Sequence, residues 1–454
     1  MLTDVVAALA TPPGRSALAV VRLSGAGAIE IAERILDVGR REEGGGKRGL
    51  ADVADRVASL MTFVAPDGTP IDQGLVTLFR APHSYTGDDL VEFSCHGGLL
   101  VPGRLLAALH AAGARPAAPG EFTRRAVLNG KLDLLQAEAV GDLIDATAPA
   151  QGRAALRQLD GALSRRLLTL REELVELLAV LAYAIDFPEE DDGPVPVERI
   201  VGLLDRGADT VARLLATAPT GERPRAGALV VLAGRPNAGK SSLFNALLGA
   251  DRALVTEIPG TTRDAIEASA DIDGWPVRLI DTAGLRESDE RIERMGIDMS
   301  RRYVGAADLV LLCAEAGREL LADEEALARE SPTLVVRTKG DLADADGDDK
   351  GVRVSAVTGV GLDRLRRAMA ERLFASGSAQ DDLEPMLTHE RHRVALGRAG
   401  DSLAEARPHL GDGGDPVLAA HHLGHAVSAL DELIGLVHPD EVLGKVFSSF
   451  CVGK

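Results

Sequence analysis

Cysteine is scarce. Cys95, Cys313 and Cys451 are the only three in 454 residues, and they lie too far apart for a disulfide framework or a Cys-x-x-Cys metal knuckle. That usage fits a reducing, cytoplasmic setting. No uninterrupted apolar run approaches the ~18 residues of a membrane span. The most apolar stretch, 167–187, carries Arg171, Glu172, Glu173, Glu176 and Asp186, so no stable membrane insertion is expected. The opening MLTDVVAALATPPG lacks the basic start and cleavage site of a secretory signal. Basic charge is short too: 50 Lys and Arg face 69 Asp and Glu, a net charge of −19. This excludes an indiscriminate nucleic-acid binder, which would carry a basic footprint. Residues 1–120, with 11 basic and 13 acidic side chains, are near neutral, so a local surface for RNA is expected there if anywhere. What the chain does have is ordinary globular stock, 46% hydrophobic and 26% charged residues. Its length suits two to four domains at roughly 100–200 residues each.

Short apolar runs at 17–23, 75–79 and 90–93 alternate with Gly/Pro turns, so the first 120 residues read as mixed α/β. From about Glu121 the period changes. Leu132, Leu135, Ala139 and Leu143, then Leu156, Leu159, Leu163, Leu167 and Leu170, recur at helical spacing, and 121–185 reads as helices. An acidic, Pro-containing break at 187–196 precedes another helix at 198–215, and 218–224 reads as a linker. Residues 226–375 alternate buried-type strands (229–233, 277–280, 309–313, 333–337) with helical segments, which predicts a mostly parallel sheet with crossover helices. Helical periodicity returns over 386–450. The simplest architecture is an α/β block inserted between two halves of a helical domain, preceded by a separate N-terminal domain. The boundaries are expected at 1–120, 121–224, 225–376 and 377–454.

Gly234-Arg235-Pro236-Asn237-Ala238-Gly239-Lys240-Ser241 matches GxxxxGK[ST] between a short strand and a helix-forming stretch. Glycines there let backbone N–H groups point into a nest around phosphates, and the helix N-terminus adds a favourable dipole. Lys240 supplies a point charge to the β/γ-phosphates, and the Ser241 hydroxyl suits Mg²⁺. Asp281-Thr282-Ala283-Gly284 follows a strand, where a carboxylate can hold Mg²⁺ through water and Gly284 admits the γ-phosphate. Gly260-Thr261-Thr262-Arg263-Asp264 lies between the two, where a switch loop would bring a Thr to the metal. Thr338-Lys339-Gly340-Asp341 resembles the guanine-reading NKxD element, and Ser355-Ala356 suits the last base contact. A carboxylate at Asp341 accepts guanine N1–H and its exocyclic amine, which adenine does not offer. Five elements in this order point to GTP, and the block resembles the TRAFAC-type small GTPases. Two departures stand out. Thr338 replaces the usual Asn and is expected to fill only part of its bracing role. Leu285 occupies the position of the water-orienting Gln and cannot hydrogen-bond water. Spacing leaves Glu287, Asp289, Glu290 and Glu293 open as substitutes.

Across nearly its whole length the chain resembles the MnmE (TrmE) family of tRNA-modification GTPases. The resemblance rests on ATPPG at 10–14, GEF at 120–122, LNGKLDL at 128–134, AIDFP at 184–188, GRPNAGKSS, GTTRD, DTAGLRE and the ending FSSFCVGK. It implies a multidomain α/β + α chain: an N-terminal α/β folate-binding and dimerisation domain, a split helical-bundle domain and an inserted P-loop α/β GTPase domain. It implies GTP contacts from Asn237, Ala238, Gly239, Lys240, Ser241 and Ser242, from Thr256, Glu257, Ile258, Pro259, Gly260, Thr261 and Thr262, from Asp281, Thr282, Ala283 and Gly284, and from Thr338, Lys339, Asp341, Ser355, Ala356 and Val357. Mg²⁺ falls to Ser241 and Thr262. K⁺ falls to Asn237, Thr256, Ile258 and Thr261, and stimulates hydrolysis as the G domains pair. The resemblance puts water positioning on Glu293 and makes Lys240, Thr262 and Cys451 catalytic. A tetrahydrofolate derivative (5,10-methylene or 5-formyl) would be held by Arg22, Glu92, Lys131 and Lys454. The implied function is a homodimeric GTPase that works with an FAD-containing MnmG (GidA)-type partner. Together they place an aminomethyl or carboxymethylaminomethyl group on C5 of the tRNA wobble uridine, with hydrolysis driving a conformational change.

Three other patterns read as structural. His421 and His425 have i,i+4 spacing but no evident third metal ligand, and a solvated helix face is expected. The acidic run at 344–349 lacks an EF-hand's spacing. Cys95-His96-Gly97-Gly98 reads as a turn entering a helix near the folate pocket. Two rival functions remain: a GTPase switch that binds ribosome or membrane without modifying RNA, and a folate-dependent aminomethyl-transfer enzyme with a vestigial GTPase.

Overall fold

Buried and less buried positions alternate along strands of the first sheet, such as Leu18–Ser24, whereas the central strands of the second, such as Ala228–Ala233 and Leu309–Glu315, are apolar almost throughout. A computed structural model describes residues 4–37, 50, 53–186, 196–249, 266–281, 303–342, 351–374, 386–410, 414–437, 440–448 and 450–453. The chain divides into two compact units, Met1–Gly141 with Asp431–Lys454, and Asp142–Leu430.

In the first unit, β1 (Val6–Leu9), β2 (Leu18–Ser24), β3 (Ser59–Val64), β4 (Pro70–Phe79), β5 (Leu90–His96) and β6 (Arg115–Pro116) form a sheet of order β3-β4-β5-β2-β1-β6. All pairings are antiparallel except the parallel β1–β6 edge. Along β2, Ala19, Val21 and Leu23 are buried, while Leu18 is exposed and Val20 and Arg22 are half-buried, the period of two expected of a strand with one face on a core. Helices α1 (Ala28–Glu33) and α2 (Val101–Ala111) pack on this sheet around Leu23, Phe63, Phe93 and Leu109. The Cys95–Gly98 segment differs from the expected turn. Cys95 and His96 complete β5, and the turn falls after them. The strand extends this far because its register with β2 pairs His96 with Leu18. Cys95 is buried, which pushes its thiol up to about 11.

Helices α3 (Glu121–Leu128) and α4 (Leu134–Asp145) follow, as the change of period predicts. The C-terminal helix Asp440–Ser448 returns to α3, where Leu443 and Phe447 meet Val127, Leu134 and Ala137. Gly120 caps α3 at φ 65, and a Cβ there would stand 3.0 Å from both Phe447 and Phe450. Arg125, only 1% exposed, ties α3 to the first strand: it donates to Asp4 (2.9 Å) and to Glu121 (2.9 Å). Arg115 donates to the same Glu121 at 2.7 and 3.0 Å. Burial raises the Glu121 carboxyl, but the hydrogen bonds from Arg115, Ala118 N–H and Arg125 outweigh it and hold the group below its usual range. A lowered folded value stabilises the protein above the unfolded pKa, and that contribution is lost as pH falls through the folded value. Thermal stability is therefore expected to decline as pH drops below about 4.3, with a shallower decline for Glu121→Gln. Melts followed by circular dichroism check this, and parallel profiles for the two proteins would contradict it.

In the second unit, helices α5 (Pro149–Leu159), α6 (Ala162–Asp186), α7 (Val197–Ala216) and α8 (Ala218–Ala226) precede the second sheet. Helix α7 packs against α6 and against Glu390–Ala406, which follows that sheet. The expected linker at 218–224 is instead helix α8. Its Gly221 serves close packing, because a Cβ there would collide with the Leu387 carbonyl oxygen. Tertiary contact thus overrides a linker-like composition. The sheet comprises β7 (Ala228–Ala233), β8 (Ile266–Ile272), β9 (Trp275–Asp281), β10 (Leu309–Glu315), β11 (Thr333–Thr338) and β12 (Val352–Arg353), ordered β12-β11-β10-β7-β9-β8. Every pairing is parallel except β8–β9. Strand β10 (LVLLCA) is buried on both faces, as a central parallel strand must be. Helix α9 (Lys240–Leu248) leaves the end of β7 where the strand order reverses, the position at which open α/β sheets bind ligands.

Candidate functional site

The β7–α9 connection is shaped by three residues in left-handed conformations: Gly234 (φ 137), Asn237 (φ 63) and Gly239 (φ 81). Gly234 is required by space as well, since a Cβ there would overlap the Cys313 carbonyl oxygen. Gly239 is the N-cap of α9, so the free N–H groups of the first helical turn face the loop. Lys240, 6% exposed, lies back along the loop, its Nζ donating to the carbonyls of Gly234 (3.0 Å) and Arg235 (2.7 Å). The Ser241 hydroxyl donates to Asp281 Oδ2 at 2.7 Å. Asp281 ends β9 and is buried, so the two hard oxygen ligands meet next to the nest. Ser242 is exposed on the same turn. Beneath the loop, burial pushes the Cys313 thiol up to about 12, so this cysteine is inert packing.

Three segments at the ends of neighbouring strands are also brought together. Thr338 closes β11, and its Oγ1 donates to the Ala238 carbonyl at 2.7 Å. Ala314 O lies 3.2 Å away. The shorter threonine therefore reaches the phosphate loop, which is the loop-facing part of the bracing role expected of it. Lys339, at φ 54, pairs with Glu315, whose carboxyl is held below its usual range by that ammonium. Asp341 is exposed on the following turn. Gly340 N–H donates to Val354 O (2.9 Å), and Gly340 O accepts from Arg353 Nη2 (2.9 Å), joining this turn to the Ser355–Val357 segment. Ser355 is buried and accepts from Thr358 N–H, whereas Val357 is 87% exposed.

Thr256, Glu257, Ile258, Pro259, Gly260, Thr261, Thr262, Thr282, Ala283, Gly284, Glu293 and Lys454 lie outside the described residues, as do Leu285, Glu287, Asp289 and Glu290. In the first unit, Arg22 and Glu92 are cross-strand partners on β2 and β5, with Arg22 Nε donating to Glu92 Oε1 at 2.8 Å. The Arg22 guanidinium lies 5.8 Å above the centre of the Tyr85 ring. Lys131 donates to Pro82 O at 3.1 Å. Cys451 is exposed, on a tail whose Val452 bridges to Pro119 and whose Gly453 fits against Leu9 where a Cβ would collide. Sequence reasoning missed Tyr85 and the Arg235–Glu324 ion pair (2.8 Å). The latter joins residues 89 apart, and no local pattern signals it. His421 and His425 bring their rings to 4.3 Å, and no third ligand joins them among the described residues.

A glycine-bounded phosphate nest at a helix N-terminus, a Ser–Asp pair beside it and a carboxylate-bearing turn two strands away define a P-loop nucleotide-binding protein with the elements of a GTPase. Comparisons with known proteins agree. A family model described as the GTP-binding protein TrmE N-terminus matches residues 5–131, and one described as the MnmE helical domain matches residues 134–451. A tRNA modification GTPase MnmE of Thermus thermophilus is 45% identical over 455 residues, covering 100% of both chains. Those of Heliobacterium modesticaldum and Aquifex aeolicus are 41% and 38% identical, again over 100% of both chains. The chain belongs to the MnmE family.

Proposed function

We propose that this chain is a GTP hydrolase acting in tRNA modification, with the nucleotide phosphates seated on Gly234–Ser241. The observation that carries the reading is the convergence of Lys240, the Ser241–Asp281 pair and Thr338 on one strained loop, in a chain that matches MnmE proteins end to end. The Ser241 and Asp281 oxygens fit Mg²⁺, which when bound supplies charge neutralisation at the β- and γ-phosphates. Thr262 would complete that shell. Lys240 then shifts from the loop carbonyls towards the phosphates, and Asp341 accepts the guanine N–H groups. Asn237, with Thr256, Ile258 and Thr261, is our proposed K⁺ site, and Glu293 our proposed water-positioning residue.

The finer parts of the function are also proposals. Residues 1–120 would bind a tetrahydrofolate derivative and form the homodimer. Residues 121–224 and 377–454 would form one helical domain around a G domain at 225–376. The first unit's side chains are compatible with a folate: Glu92, oriented by Arg22, would suit the donor-rich pterin edge, and the cations Lys131 and Lys454 would suit the carboxylate tail. Cys451, exposed near the chain end, would serve the one-carbon chemistry. With an FAD-containing MnmG-type partner, the protein would install the aminomethyl-type group at C5 of the wobble uridine, in the cytoplasm. Among the described residues no helix is long and apolar enough to cross a membrane. Glu92→Gln is expected to weaken binding of a reduced folate by roughly 10- to 100-fold, because a charged acceptor is lost. Isothermal titration with 5-formyltetrahydrofolate checks this, and an unchanged dissociation constant would remove Glu92 from the site. The whole reading is tested by nucleoside analysis of tRNA from cells lacking the gene: restoring the wild-type gene should restore the modified wobble uridine.

A further inference from the structure

The apex of the phosphate loop is a non-glycine residue in the left-handed region, Asn237 at φ 63. Such a conformation persists only where the surroundings over-determine it, so both shoulders of the apex must be held. The C-terminal shoulder is held by Thr338, which donates to Ala238 O. The N-terminal shoulder is held by Lys240 through the carbonyls of Gly234 and Arg235. Phosphates compete for that ammonium, so it cannot be the sole support once a nucleotide is bound. The Arg235 side chain supplies another. Its Nε lies 3.0 Å from Glu324 Oε1 and its Nη2 2.8 Å from Oε2, a bidentate pair. Glu324 is 7% exposed and stands at the third position of the helix Ala322–Glu330. Its Oε2 also accepts Leu321 N–H at 3.0 Å, so its own rotamer is fixed. Packing alone does not hold the Arg235 side chain, which is 40% exposed and lines an open pocket with Pro236, Ala238, Cys313 and Glu324.

We propose that Arg235 and Glu324 form a positioning pair that presets the phosphate loop for guanine nucleotide, acting on affinity rather than on the chemical step. The proposal rests on the GTPase reading and adds two positioning residues to it. Glu324→Gln separates positioning from direct charge effects. It keeps the side chain's shape and its acceptor for Leu321 N–H while removing a negative charge near bound phosphates. Direct electrostatics alone would then tighten nucleotide binding, whereas loss of positioning weakens it.

The test uses the full chain with Glu324→Gln, Arg235→Met, Arg235→Lys and the Glu324→Gln/Arg235→Met double variant. Titration with a fluorescent GDP and steady-state GTP hydrolysis are compared with hydrogen exchange of the 234–240 peptide in nucleotide-free protein. The singles Glu324→Gln and Arg235→Met are expected to raise the GDP dissociation constant and KM about tenfold, with kcat within about twofold and faster exchange in the loop. Arg235→Lys, which keeps the charge but not the fork, is expected to fall between them and wild type. The double variant should be no worse than the weaker single, because both act through one contact. Unchanged or tighter binding in Glu324→Gln, a fall in kcat at constant KM, unchanged loop exchange, or singles that multiply would each overturn the pair's role. If the wild type hydrolyses GTP and Glu324→Gln behaves identically, the pair alone fails. If the wild type binds no guanine nucleotide, the underlying reading fails with it.

Discussion

Lys240→Ala is expected to lower GTP turnover about 100-fold or more, the scale seen when one donor aimed at developing transition-state charge is removed. The side chain is buried, and its ammonium donates to the carbonyls of Gly234 and Arg235. Truncation removes a compact charge beside the nest and leaves both carbonyls without that donor. It also loosens the shoulder of the Asn237 apex. Arginine should not rescue it, because a planar fork does not replace a point charge in this space. Phosphate-release kinetics, with circular dichroism to verify folding, check the result. Wild-type turnover in the variant would take this loop out of the chemistry.

Asp341→Asn is expected to cost at least about 100-fold in affinity for GTP, because sites that pair with a ligand's polar edge reject partners that leave it unpaired. The turn bearing Asp341 is fixed on both sides of its peptide, by Gly340 N–H to Val354 O and by Arg353 Nη2 to Gly340 O. A rigid mount leaves little freedom to adapt. Asparagine replaces one acceptor oxygen by a donor that faces guanine's own donors, and it should favour xanthine, which offers a carbonyl at that edge. Competition of GDP and XDP against a fluorescent nucleotide reads the switch directly. Undiminished preference for GDP would refute the assignment of Asp341 to the base.

The phosphate loop was legible because its constraints are local. Gly234 and Gly239 sit where the backbone needs left-handed dihedrals or an absent Cβ, and Lys240 follows them at the fixed spacing that starts a helix. The change from period two to helical spacing near Glu121 was legible for the same reason, since it reports one chain segment against one core. Side-chain length leaves open which part of the brace Thr338 keeps; the end of β11 puts its hydroxyl 2.7 Å from Ala238 O, on the phosphate loop. The 218–224 segment reads as a linker in the sequence but is helical, because Gly221 packs where a Cβ would meet the Leu387 carbonyl oxygen, a contact that no local pattern signals.

Residue types, spacings and the order of motifs determined by themselves that a phosphate nest forms after a buried strand and that a carboxylate waits two strands on. Only the tertiary structure decided which distant side chains meet. The register of β2 against β5 sets Arg22 on Glu92, 70 residues away, and the placement of the helix Ala322–Glu330 sets Glu324 on Arg235. The physical reason is that backbone strain and periodicity act within a few residues. Pairing of charges across a sheet or beneath a loop depends on strand order and helix position, which the whole core fixes.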